Sequence, residues 1–308
     1  MKINTIYHGD SLQILKTLPD ENIDCCVTSP PYWGLRNYGV DSQLGLEKTP
    51  EEYVAKMVEV FGEVKRVLKK EGVLFLNLGD TYSQTRWSNK EGTGSWSSKR
   101  LKEKNPVIDR DGCNLPSKNL VGIPWRVAFA LQSDGWYLRQ DIIWAKPNPM
   151  PESVTDRCTK AHEYIFLLVK SQKYYFDAEA IKEKTNDVNT KPRKFRKSGG
   201  GETLRNDTGN DYMPRALRNK RSVWTINTKP YKGAHFATFP EDLVTPCILA
   251  GCPKGGIVLD PFTGSGTTCA VAKRLERNYI GIELNQNYIK LAEERIAKER
   301  TLFNDHHS

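Results

Sequence analysis

Two stretches of the chain carry residue types suited to chemistry. The first is Thr28-Ser29-Pro30-Pro31-Tyr32-Trp33, which closes the apolar run Ile23, Cys25, Cys26 and Val27. Proline has no N–H and cannot continue a ladder, so a strand must stop there. What remains is a hydroxyl and backbone carbonyls without strand partners, beside an aromatic face. Such a loop can grip a flat, hydrogen-bonding ring. The same residues also read as a proline-terminated strand with two surface-capping aromatics.

The second stretch is Asp260-Pro261-Phe262-Thr263-Gly264-Ser265-Gly266-Thr267-Thr268. Gly264 and Gly266 let the backbone approach a ligand with no Cβ in the way. Glu283 lies 23 residues beyond Asp260, where the acid ending the next strand of a βαβ step can bond ribose hydroxyls. A dinucleotide fingerprint needs a third glycine, and Cys269 stands where it would be. A carboxylate beside the loop repels a pyrophosphate but suits a cationic, phosphate-free cofactor. S-adenosylmethionine fits that description better than NAD, which speaks against a dehydrogenase.

The elements that must position these stretches alternate between strand and helix, the pattern of a parallel α/β sheet. Strands are expected at 3–8, 23–28, 73–78, 136–144, 163–169 and 278–282, with another ahead of Asp260. Helices are expected from Ser11, from 49 to about 68, over 123–131, 241–250 and 268–276, and from 286 to 298. The strands at 136–144 and 163–169 are expected to pair as an antiparallel hairpin at one sheet edge. Asp10 falls at a strand's carboxyl end, either as a helix N-cap or as a site residue. Residues 34–45 read as a mobile loop beside the site. The polar stretch 81–119, with Trp87 and Trp96, reads as a long loop on the ligand-binding side of the sheet.

Lys+Arg number 46 against 37 Asp+Glu, a net charge of +9, which suits a polyanionic partner. The basic residues concentrate in 179–222, where Lys191 to Lys197 and Arg215 to Arg221 are interleaved with Phe195 and Tyr212. This is either a solvated charged linker or a surface for phosphates and bases. The seven cysteines include no C-x-x-C, so neither zinc nor a disulfide framework is indicated. No apolar run has membrane-spanning length and the amino terminus lacks a signal profile, so a soluble, cytoplasmic protein is expected.

D-P-F-x-G-S-G-T-T together with T-S-P-P-Y-W resembles the amino-group DNA methyltransferases, which methylate N6 of adenine or N4 of cytosine. The proline loop precedes the cofactor loop by about 230 residues, an order similar to the circularly permuted β class. The resemblance implies a Rossmann-like, S-adenosylmethionine-dependent methyltransferase fold, α/β, with a mostly parallel sheet and an antiparallel edge strand. It implies a catalytic half over 1–178 with a loop insertion at 81–119, a target-recognition insert over 179–222, and a cofactor-binding half over 223–308.

Carried over residue by residue, Ser29 and the Pro30 carbonyl would accept hydrogen bonds from the target amino group. Pro31 would complete the catalytic loop, and Tyr32 would stack on the extruded base. Asp10, His235, Phe239, Asp260, Pro261, Phe262, Gly264, Gly266 and Glu283 would line the cofactor. Arg36, Arg193, Lys194, Arg196, Lys197, Arg218 and Arg221 would contact duplex DNA. Family members with Ser at the first loop position mostly methylate cytosine N4, with adenine N6 the alternative. C5 methylation needs a thiolate in a Pro-Cys loop; here only Cys247 follows a proline, on an expected helix. The resemblance further implies a prokaryotic or phage-encoded, nucleoid-associated protein, monomer or homodimer, with a possible cognate restriction endonuclease and no metal. A silent DNA-binding protein and an RNA or protein-amide methylase are the competing readings.

Overall fold

The computed structural model describes residues 1–35, 43–83, 114–185, 216–228 and 239–299. In chain order the elements are β1 (Thr5–His8), α1 (Ser11–Thr17), β2 (Ile23–Thr28), α2 (Pro50–Val67), β3 (Leu68–Leu78), α3 (Ile123–Ser133), β4 (Tyr137–Ala145), β5 (His162–Val169), β6 (Glu183–Lys184), β7 (Leu217–Arg218), β8 (Val223–Thr225), α4 (Glu241–Gly251), β9 (Ile257–Asp260), α5 (Thr267–Arg274), β10 (Asn278–Glu283) and α6 (Gln286–Lys298).

Local chemistry accounts for these boundaries. Thr49 caps α2 by accepting from Glu52 N at 3.1 Å, and Pro50 fills the first turn. Glu51 and Glu52 at its start and Lys65 and Arg66 at its end complement the helix dipole. Its buried stripe of Tyr53, Met57, Val60, Phe61, Val64 and Val67 packs into the main core. Strand β3 is buried from Val73 to Leu78, the burial of a strand covered on both faces.

Eight strands form one sheet in the order β1-β10-β9-β2-β3-β5-β4-β8. All neighbours run parallel except β5, which is antiparallel to both β3 and β4. The sheet is therefore mostly parallel with one reversed strand, as expected. That strand stands inside the sheet rather than at its rim, because β5 pairs with β3 on its other side and the short β8 takes the outer edge of β4. Residues far apart in the chain meet in the middle: β2 pairs with β9 through Cys26↔Leu259. The carboxyl ends of the parallel strands, where open α/β sheets bind ligands, thus bring Asp10, Ser29 and Asp260 to one side.

The chain divides into two compact units, Met1–Phe176 with Ser222–Ser308, and Asp177–Arg221. The sheet above belongs to the first. In the second, β6 pairs antiparallel with β7, and Glu183 accepts from Arg218 Nε at 2.9 Å and Arg221 Nε at 2.6 Å. Among the described residues no helix is long and apolar enough to cross a membrane.

Candidate active site

The glycine loop leaves β9 at Asp260, which is fully buried. Its Oδ1 accepts from Thr28 Oγ1 at 2.6 Å and from Phe262 N at 3.1 Å. Burial pushes this carboxyl up to about 6, with Thr28, Thr268 and the Phe262 N–H pulling it back. Asp260 therefore clamps the end of β9 to the end of β2 through Oδ1, while its Oδ2 has no hydrogen-bond partner among the described residues. Thr268 Oγ1 adds a second tie, to Val27 O at 3.3 Å.

The two glycines differ in what they permit. Gly264 has φ +53°, and a Cβ there would find only Phe262 O, at 4.0 Å. This is open space beside backbone, a cradle that a side chain would fill. Gly266 has φ +79°, and its Cβ would stand 2.7 Å from Ala292 Cβ, so its absent side chain admits α6. Around the cradle, Glu283 accepts from Gly264 N and Asn285 N, each at 2.8 Å. Burial raises its carboxyl, and those N–H groups oppose the shift. Ser11 Oγ donates to Pro261 O at 2.5 Å, which draws the start of α1 to the loop, while Asp10 caps that helix by accepting from Gln13 N at 3.0 Å. Phe262 is partly buried against the core. An open glycine cradle with the Glu283 carboxylate at its edge suits the cationic, phosphate-free S-adenosylmethionine.

On the neighbouring strand, β2 ends at Thr28 and the proline loop begins. Tyr53 Oη donates to the Pro31 carbonyl at 2.9 Å. Among the described residues no donor reaches the Pro30 carbonyl. Ser29 Oγ donates to Tyr32 Oη at 3.2 Å, which leaves the serine's lone pairs as acceptors. Tyr32 is partly buried, its ring lies where a Gly79 side chain would be, 2.6 Å from that position, and its Oη meets Glu163 Oε2 at 2.9 Å and Asn77 Oδ1 at 3.0 Å. Burial, and then the Glu163 charge, hold its phenol well above the usual tyrosine value. Trp33 does not cap the surface. It is 1% exposed and donates to Glu47 O at 2.9 Å.

These contacts place the proline loop and the glycine loop at the ends of adjacent strands. The family model for DNA methylase matches residues 23–294. The chain belongs to the DNA methylase family. This methylase is 46% identical over 297 residues to the type II methyltransferase M.Cfr9I of Citrobacter freundii, covering 96% of this chain and 89% of the relative. It is 46% identical over 294 residues to M.SmaI of Serratia marcescens, covering 95% and 90%. Among solved structures, its fold is similar to the PvuII DNA methyltransferase (cytosine-N4-specific), with a TM-score of 0.63, 20% identity and 98% and 87% of the two chains covered. It is also similar to TTHA0409 of Thermus thermophilus, solved with S-adenosyl-L-methionine, with a TM-score of 0.59, 22% identity and 96% and 95% covered.

Three neighbours of the methylase's proline loop were not foreseen from its sequence. Asn77, Lys146 and Glu163 come from β3, the residue after β4, and β5. Lys146 forms an ion pair with Glu163 Oε1 and lies over the Trp144 ring at 4.2 Å. One signal was available for Asn77, a polar side chain inside an otherwise apolar strand. A fourth, Arg295 of α6, donates to Thr267 Oγ1 at 2.9 Å and Glu241 Oε1 at 2.6 Å, bracing the start of α5. Of the other expected site residues, Phe239 is partly buried just before α4, and Arg218 and Arg221 sit in the second unit, each paired with Glu183. Arg36, Arg193, Lys194, Arg196, Lys197 and His235 lie outside the described residues, as do Phe195, Tyr212, Arg215, most of the 34–45 loop and Trp87 and Trp96.

Proposed function

We propose that the protein methylates the exocyclic N4 of a cytosine flipped out of duplex DNA. The methyl donor is S-adenosylmethionine, which supplies an electrophilic sulfonium methyl. Gly264 leaves room for the donor's backbone-side approach, and Glu283 is the acceptor for its ribose hydroxyls. Asp260 does its part through position, tying the donor's loop to the loop that holds the base.

The observation that carries the reading is the Ser29 hydroxyl with the Pro30 carbonyl, which no donor reaches among the described residues, at the end of the strand next to the one that leads into the glycine loop. An amino nitrogen conjugated to a ring is a poor nucleophile, because its lone pair is delocalised. Acceptors that draw its hydrogens out of the ring plane return that pair for direct attack. Ser29 at the head of the loop, rather than a carboxylate, favours cytosine. The target atom lies inside the duplex, so the base must be extruded, and the Tyr32 ring is the face that receives it. The basic insert 179–222, with Arg218 and Arg221, contacts DNA. Phosphates there compete with Glu183 for both arginines.

The test is transfer of tritiated methyl from S-adenosylmethionine to duplex DNA. Wild type should label DNA, and Ser29→Ala should lose at least about a hundredfold in rate while binding the cofactor normally. No label from wild type would overturn the reading.

A further inference from the structure

Methylating an amino group liberates a proton, and the residues around Ser29 form a directed path for it. Ser29 Oγ donates to Tyr32 Oη at 3.2 Å, and Tyr32 Oη lies 2.9 Å from Glu163 Oε2. A phenol has one hydrogen, and the carboxylate outcompetes the neutral Asn77 oxygen at 3.0 Å for it. Asn77 Nδ2 donates to Tyr164 O at 3.0 Å, which turns its carbonyl toward Tyr32 and fixes the phenol's position. Beyond Glu163, Lys146 completes the ion pair, and both side chains are 16% exposed, enough to hand a proton to solvent.

We propose that Glu163 is the terminal acceptor of the proton that the target amino group gives up, reached through Ser29 and Tyr32. The inference rests on the amino-group methylation proposed above. The methyl carbon leaves sulfur, whose positive charge is neutralised as sulfur keeps the bonding pair, and bonds to the amino nitrogen. That nitrogen releases one hydrogen to Ser29 Oγ. Ser29 passes its own to Tyr32, and Tyr32 passes its own to Glu163, which ends neutral. Serine and tyrosine finish as they began, so no serine alkoxide or phenolate accumulates, in keeping with the raised phenol of Tyr32. Because hydrogen removal frees the nitrogen lone pair, the relay assists the attack itself rather than only following it. The charged and titratable groups facing this path are Lys146 after β4, Lys160 ahead of β5, Asp80 after β3, and Tyr53 of α2.

The test uses full-length protein, duplex DNA and labelled S-adenosylmethionine in single-turnover reactions. Glu163→Gln should slow transfer about a hundredfold, with cofactor and duplex affinities within threefold of wild type. Tyr32→Phe keeps the ring for stacking and should cost about the same factor. The double variant should be no slower than the slower single, because the residues act as one unit. A Glu163→Gln enzyme within threefold of wild type, or losses that multiply in the double variant, overturns the relay. Should Glu163→Gln fail to fold, as circular dichroism would show, Tyr32→Phe decides, and a wild-type rate in it overturns the relay. An inactive wild type overturns the parent reading and this one with it, whereas slow variants beside an active wild type bear on the relay alone.

Discussion

Gly264 and Gly266 sit two residues apart in one loop, both with positive φ, yet replacing each with alanine should fail in a different way. At Gly264 the new methyl meets nothing closer than 4.0 Å, so the stability cost is the left-handed backbone alone, about 1–2 kcal/mol. The methyl occupies the cradle, however, and cofactor affinity should drop about tenfold or more, which corresponds to about 1.4 kcal/mol. At Gly266 the same backbone cost applies, and the methyl also stands 2.7 Å from Ala292 Cβ and 3.0 Å from Ala292 Cα. A backbone atom cannot rotate away, so overpacking adds about 1–3 kcal/mol and the total reaches about 2–5 kcal/mol. Urea unfolding without ligand gives the stabilities, and calorimetric titration with S-adenosylmethionine gives the affinities. Equal destabilisation by the two variants, or Gly264→Ala binding cofactor like wild type, would refute the division of roles between these glycines.

Asp260 gives a pH-dependent prediction. Its folded-state value of about 6 lies above the ordinary 3.8, so the folded protein binds this proton more tightly than the unfolded chain. The buried charge costs stability above pH 6, and that cost is relieved as the pH falls from 6 toward 4. The gap of about 2 units sets a ceiling of about 3 kcal/mol. Unfolding curves of Asp260→Asn should therefore gain on wild type between pH 4 and 7, and parallel curves would contradict the buried charge. Arg295→Ala should cost about 2 kcal/mol by urea unfolding, since it strips a cation from the half-buried Glu241. It should also weaken cofactor binding severalfold, through Thr267.

Much of this architecture was legible because strand and helix periods were clean. Helix α6 occupies the expected 286–298, and β2 the expected 23–28. Where the reading slipped, a local exception to pattern explains it. Strand β3 begins at Leu68, five residues before its apolar run. Its exposed Lys69, Lys70 and Glu71 lie where the register with β2 shifts between Ile23 and Cys25, so hydropathy saw only the covered part. Strand β8 is three residues long at the sheet edge, too short to leave a period. At the site, the two loops announced themselves because each concentrates its chemistry within nine residues or fewer. Glu163 lies 131 residues from Tyr32 in sequence and reads alone as a polar strand end. The placement of β5 between β3 and β4 gives it its partners, Tyr32 and Asn77 on one side and Lys146 on the other.

Whether the paired loops methylate the exocyclic amino group of cytosine is read from the identity of the modified base. Duplex DNA methylated by the purified protein, digested to nucleosides and resolved by mass spectrometry and chromatography, should contain N4-methylcytosine. N6-methyladenine would contradict the choice of base while sparing the amino-group chemistry, and 5-methylcytosine would contradict the account as a whole.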